Sequence, residues 1–216
     1  MFLERLTEMV RTFCIYFLHF IYLQILWLVF TLLGLGIFGA APATVAVYRI
    51  QQRLIEEKQV VSIRGVFWQE YKQHFRQSNL LAWMLVVIGA VIYFDLQFFM
   101  ASASSWSFYV SVFFYILSVW YMITVLYILP VYVHYSLSVV GCFKQALIIG
   151  MLHPFKTIVM AISLAGTIYI MLVFPQLLLT VGISLVSFIV MIFGKTAIEH
   201  VSELQQRMSS QQTVKQ

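Results

Sequence analysis

Asp95 is the one acidic side chain inside an apolar run of this 216-residue chain, and an ionisable group in that setting is a candidate for ion or substrate handling. It lies five residues before the end of its run, where it reaches interfacial water or takes up a proton. Gln24 lies nearer the centre of another run, and the use expected of it is an interhelical hydrogen bond. The histidines do not form a constellation. His19, His74, His134, His153 and His200 are dispersed, with no i,i+4 pair enclosing a glutamate and no cysteine cluster nearby, so no metal site is expected. Cys14 and Cys142 lie in or beside apolar sequence and make no disulfide scaffold. Ser184 and Ser187, with Gly182 and Gly166, read as small-residue helix packing, and there is no G-x-S-x-G elbow. No catalytic residue and no cofactor site follows, and the chain is not expected to be an enzyme.

The elements that carry these residues are apolar. The chain is 62% hydrophobic and 10% charged, with a mean hydropathy of +0.93, against about 45–50% and about 25% for soluble domains. This excludes a soluble domain, a disordered chain, a coiled coil and collagen. Crossing the hydrocarbon takes roughly 20 helical residues, and three runs qualify at 13–39, 80–100 and 108–132. A fourth region, 157–193, would measure about 55 Å as one helix and must fold back. Pro175 and Gln176 at its midpoint divide it into 157–174 and 177–193. The expected fold is an all-α polytopic membrane bundle of five spans, one membrane domain over 1–208 with a disordered tail at 209–216. The first run is too long and its leader too neutral for a cleaved signal peptide.

Lysine and arginine set the expected orientation. Segment 45–79 carries Arg49, Arg53, Lys58, Arg64, Lys72 and Arg76; segment 133–156 carries Lys144 and Lys156; the tail carries Lys195, Arg207 and Lys215. Five spans put all of these on one side, opposite Arg5 and Arg11, which predicts an outer amino terminus and an inner carboxyl terminus. The positive-inside bias also accounts for the basic charge, and no nucleic-acid module or phosphate-binding glycine loop is present.

On the basic side, Ile63, Phe67, Tyr71 and Phe75 recur at fourfold spacing, with Arg64, Lys72 and Arg76 on other faces. This predicts an amphipathic cytoplasmic helix in the headgroup plane, its basic face toward anionic lipid or a partner. Gly141-Cys142-Phe143 followed by Phe155-Lys156 and a span echoes Gly65-Val66-Phe67 followed by Phe75-Arg76 and a span, which fits duplication or a shared physical role. In the tail, Glu203 and Arg207 form an expected i,i+4 pair. Trp68, Trp83, Trp106 and Trp120 fall mostly near span ends, as an aromatic belt requires.

Three patterns in order carry a family resemblance: Gly39-Ala40-Ala41-Pro42-Ala43-Thr44; then Phe67, Tyr71-Lys72 and Phe75-Arg76; then Lys144-Gln145-Ala146 before the fourth span. Together they resemble the YesL family (YesL/YteU-like) of small bacterial integral membrane proteins, across essentially the whole chain. His74 stands where the commoner pattern has asparagine. The resemblance implies a non-catalytic protein of the bacterial plasma membrane, from genes that often neighbour carbohydrate ABC importers. The expected role is an accessory subunit that binds the permease, and possible partners are the permease subunits, their ATPase and membrane lipids. Gly39, Pro42, Thr44, Phe67, Tyr71, Lys72, Phe75, Arg76, Phe143 and Lys144 are the candidate interface residues. The alternative is a small transporter or channel acting by itself, as a monomer or a homo-oligomer, with Gln24 and Asp95 as its polar residues.

Overall fold

A computed structural model describes residues 2–57, 62–101, 105–135 and 137–213. Seven α-helices and no strand occur among them: α1 (Phe2–Leu33), α2 (Ile37–Glu57), α3 (Ile63–Ala101), α4 (Ser105–His134), α5 (Val139–Leu152), α6 (Pro154–Val173) and α7 (Pro175–Thr213). Five of these, α1, α3, α4, α6 and α7, are long and apolar enough to cross a membrane. Lys58 and Lys215 lie outside the described residues, as do the side chains of His200, Glu203 and Arg207.

Three boundaries differ from the sequence reading. The run expected to be helical over 13–39 breaks after Leu33. Gly36 N–H bonds Thr31 O at 2.9 Å and Leu35 N–H bonds Leu32 O at 3.1 Å, the paired bonds of a Schellman turn. Leu35 holds the left-handed position at φ 59° and Gly36 follows at 73°. Pro42 sits in the second turn of α2. The amphipathic stretch 63–75 is not a separate surface helix either, since it runs without interruption into the apolar half of a 39-residue α3. At the other end, α7 continues past Met208 to Thr213.

The break in the fourth region comes at Phe174, and Pro175 opens α7, a first-turn position where its missing N–H costs nothing. Lys156 Nζ donates to Thr196 O at 3.0 Å, so the two helices run back along one another.

The chain divides into two compact units, Met1–Phe75 with Ile162–Ile189, and Arg76–Ala161 with Val190–Gln216. In the first, α1 and α2 meet at a corner where a Cβ on Gly39 would lie 2.5 Å from Thr31 O and 2.8 Å from Phe30 O. Leu23, Leu26 and Phe30 of α1, Ala43, Ala46, Val47 and Ile50 of α2, and Phe67 and Tyr71 of α3 form its core. In the second unit, α5 packs on α4, and glycines again mark the crossings. A Cβ on Gly89 would meet the Tyr121 hydroxyl, one on Gly150 would meet Ile123, and one on Gly194 would meet Pro130. Tyr127 and Thr157 share a buried hydrogen bond at 3.0 Å. Gly166 was expected at a close helix approach, but a Cβ there has nothing within 4 Å.

The echo between 65–67 and 141–143 has a local cause. Each glycine stands three residues after a serine, and its missing Cβ leaves room for that hydroxyl, 3.1 Å away for Ser62 and 3.3 Å for Ser138. Ser138 accepts the Gly141 N–H as the N-cap of α5.

Because the Gly39 neighbours are backbone, Gly39→Ala is expected to destabilise the protein by about 2 kcal/mol or more, while Gly166→Ala is neutral or stabilising by about 1 kcal/mol. Thermal unfolding of the two purified variants in one detergent checks this pair.

Candidate functional site

The start of α3 carries two adjacent rows of side chains at fourfold spacing. Phe67 and Tyr71 point into the first unit's core, while Glu70 and His74 form the next row, facing Arg49 and Arg53 of α2. The Glu70 side chain is only 8% exposed. Its Oε1 accepts from Arg53 Nη2 at 2.6 Å, and its Oε2 lies 3.4 Å from His74 Nε2 and 3.8 Å from Arg49 Nε. The hydrogen bond from His74 holds the Glu70 carboxyl below the usual carboxylate range, helped by the charges of Arg49 and Arg53 and opposed by burial. One buried carboxylate thus ties α2 to α3, and His74 is one of its partners.

Sequence reading missed this cluster. The charge pattern alone presents Arg49 and Arg53 as positive-inside residues and does not set Glu70 apart. The signal available was the i,i+4 spacing of Glu70 and His74 beside the aromatic stripe.

Phe67 and Tyr71 are buried in this unit's core, which corrects the surface role expected of them, while Ile63 and Phe75 of the same stripe are half-buried. Phe30 packs on Phe67 at 4.9 Å between ring centroids and on Tyr71 at 5.2 Å, and Phe75 packs at the edge of the same cluster. The Tyr71 hydroxyl donates to Phe30 O at 3.2 Å, a carbonyl near the end of α1 that also accepts the Gly34 N–H at 3.1 Å. The Gly39–Thr44 element is internal too: Pro42 is buried, and Thr44 Oγ1 takes the Trp27 Nε1–H at 3.0 Å and donates to Ala40 O at 2.7 Å. Its threonine joins α1 to α2, as its glycine lets them meet.

A second polar group in this unit binds backbone rather than side chains. Gln24 Oε1 accepts from Ile183 N at 3.0 Å and from Ser184 N at 3.4 Å, and its Nε2 donates to Leu178 O at 3.5 Å. Gln51 Nε2 donates to Ser184 O at 2.7 Å, which Ser187 Oγ also reaches at 3.1 Å. Gln24 and Gln51 thus fasten α1 and α2 to α7. Gln51 Oε1 and the Ser184 hydroxyl remain buried without a hydrogen-bond partner among the described residues.

The remaining candidates divide between the units. Lys72, in the first, is exposed, its Nζ 4.3 Å above the Trp68 ring. In the second, Arg76 and Lys144 are exposed, and Phe143 and Asp95 are half-buried. Among the described residues no group of three or more His, Cys, Asp or Glu is placed to hold a metal.

Residues 20–96, which hold the α1–α2 corner and the Glu70 cluster, match the family described as Protein of unknown function, DUF624. Three relatives come from Bacillus subtilis (strain 168). Uncharacterized protein YteU is 48% identical over 84 residues, 39% of this chain and 38% of the relative, so the chain spans well under half of that relative. Uncharacterized protein YesV is 28% identical over 81% of this chain and 86% of the relative, and Uncharacterized protein YesL 27% over 90% and 92%. No solved structure matches.

Replacing Glu70 by Gln leaves two arginines without their carboxylate, and a loss of about 2–3 kcal/mol is expected. A carboxyl whose native pKa is lowered adds stability that is complete above the ordinary carboxylate range and fades as the pH falls below it. Melting curves between pH 7 and pH 3 should therefore converge for wild type and Glu70→Gln at the acid end.

Proposed function

We propose that this YesL-like protein, a multi-pass membrane protein by its five apolar helices, is a non-catalytic accessory subunit of a carbohydrate ABC importer in the bacterial plasma membrane. It stabilises or regulates the permease by binding it. The observation that carries this reading is where the polar side chains go. Glu70, Gln24 and Gln51 spend their bonds on the protein's own helices, while α4 presents exposed apolar side chains such as Phe108, Phe113, Val119 and Met122. In a bilayer such a face suits lipid or another membrane helix. Exposed Arg76 and Lys144 are the groups assigned to polar contact with the partner. The resemblance to a family associated with carbohydrate importers supplies the partner class. The orientation proposed keeps the basic 45–79 and 133–156 segments in the cytoplasm.

A transporter acting by itself is a second reading, favoured by the buried, unpaired oxygens of Gln51 and Ser184 beside the Gln24 contacts and by half-buried Asp95.

Mild-detergent purification of the tagged protein from its native membrane tests the first reading. Importer permease subunits are expected in stoichiometric yield, and Arg76→Glu with Lys144→Glu should cut their recovery several-fold while the protein still inserts. Recovery of this chain alone would sink the subunit reading. For the second reading, solute flux in proteoliposomes should fall with Asp95→Asn or Gln51→Leu; flux indifferent to both removes it.

A further inference from the structure

The end of α1 and the start of α3 leave a hollow between them. Phe30, Leu33, Ser62, Arg64, Gly65 and Trp68 line a pocket of about 450 Å³, within the range of about 300–1,000 Å³ typical of small-molecule sites. Its lining has two chemistries. Phe30, Leu33 and the Trp68 ring form an apolar wall at the last turn of a helix able to cross a membrane. Arg64 supplies a cation to the lining, and Lys72 brings a second one against the ring of the lining residue Trp68. Arg64, Trp68 and Lys72 follow one another at fourfold spacing, so they lie along one row of α3.

These cations differ in their partners from the others nearby. Arg49 and Arg53 are matched to Glu70, whereas neither Arg64 nor Lys72 has a carboxylate within ion-pair distance among the described residues. Among the described residues, Arg64 thus borders the pocket without a carboxylate partner, and Lys72 lies against its Trp68 wall. A phosphate monoanion would meet the guanidinium in its favoured forked geometry. Such an ion alone would leave the wall of Phe30 and Leu33 uncovered, and an acidic peptide would have to bring its own apolar side chains to the end of a membrane helix. A phospholipid carries both parts in one molecule, and it is present wherever α1 meets the bilayer interface.

We propose that this pocket binds one anionic phospholipid, its phosphate held by Arg64 and Lys72 and its glycerol and first acyl carbons against Phe30, Leu33 and Trp68. Gly65 keeps the floor free of a side chain, and exposed Trp68 provides both the apolar wall and the seat for the Lys72 ammonium. This site does not depend on the subunit reading, since it uses neither Arg76 nor Lys144.

Native mass spectrometry of the full chain, delipidated and then offered equal phosphatidylglycerol and phosphatidylcholine with the same acyl chains, tests it. The wild type is expected to retain one phosphatidylglycerol roughly tenfold or more in preference to phosphatidylcholine, a result that needs no variant to interpret. Arg64→Gln with Lys72→Gln should erase the preference, and Lys144→Gln should keep it. Equal retention of the two lipids by wild type, a preference untouched by the double variant, or displacement of the lipid by inorganic phosphate or by an acidic peptide would each overturn the assignment.

Discussion

The first unit depends on one aromatic contact, the seating of Phe30 between Phe67 and Tyr71. Phe30 sits in the last full turn of α1, and the two rings it meets are one turn apart on α3. Burying three such side chains removes a large apolar area from solvent. It also fixes the direction in which the start of α3 can face. With Phe67 and Tyr71 turned inward, Glu70 and His74 come round to Arg49 and Arg53, and Arg64, Trp68 and Lys72 are left on another side. The glycines at 34 and 39 serve the same contact, because a Cβ on Gly34 would strike the Tyr71 hydroxyl and the Gly39 backbone.

Polar groups in this fold mostly bind other parts of it. A carboxylate in an apolar setting is costly unless paired, and Glu70 is paired three ways. An unpartnered amide is costly for the same reason, and Gln24 meets it by taking backbone groups of α7 on both its oxygen and its nitrogen. These are bonds of register: a side-chain amide that fits around Leu178, Ile183 and Ser184 does not fit one turn higher or lower. The apolar faces of the helices would tolerate such a slip, and the amides do not.

The spans were legible because apolar length is a one-dimensional property. So was the reversal at Pro175, where proline removes a donor in the middle of a run too long for one helix. The corner at residues 34–36 was not, since Leu35 takes the left-handed position that glycine usually holds and the hydropathy continues through it. Periodicity showed an apolar stripe at Ile63, Phe67, Tyr71 and Phe75, but a stripe looks the same whether lipid or protein covers it. The Glu70 cluster was hidden for a related reason. Its i,i+4 half lies in the sequence, while Arg49 and Arg53 arrive through the α1–α2 corner. Gln24 was recognisable as an interhelical donor, but its partner lies more than 150 residues away.

The link between α6 and α7 is Phe174 alone. A connection of one residue leaves no slack at the turn, so the end of α6 and the start of α7 are held at the same level and neither can slide along its axis without carrying the other.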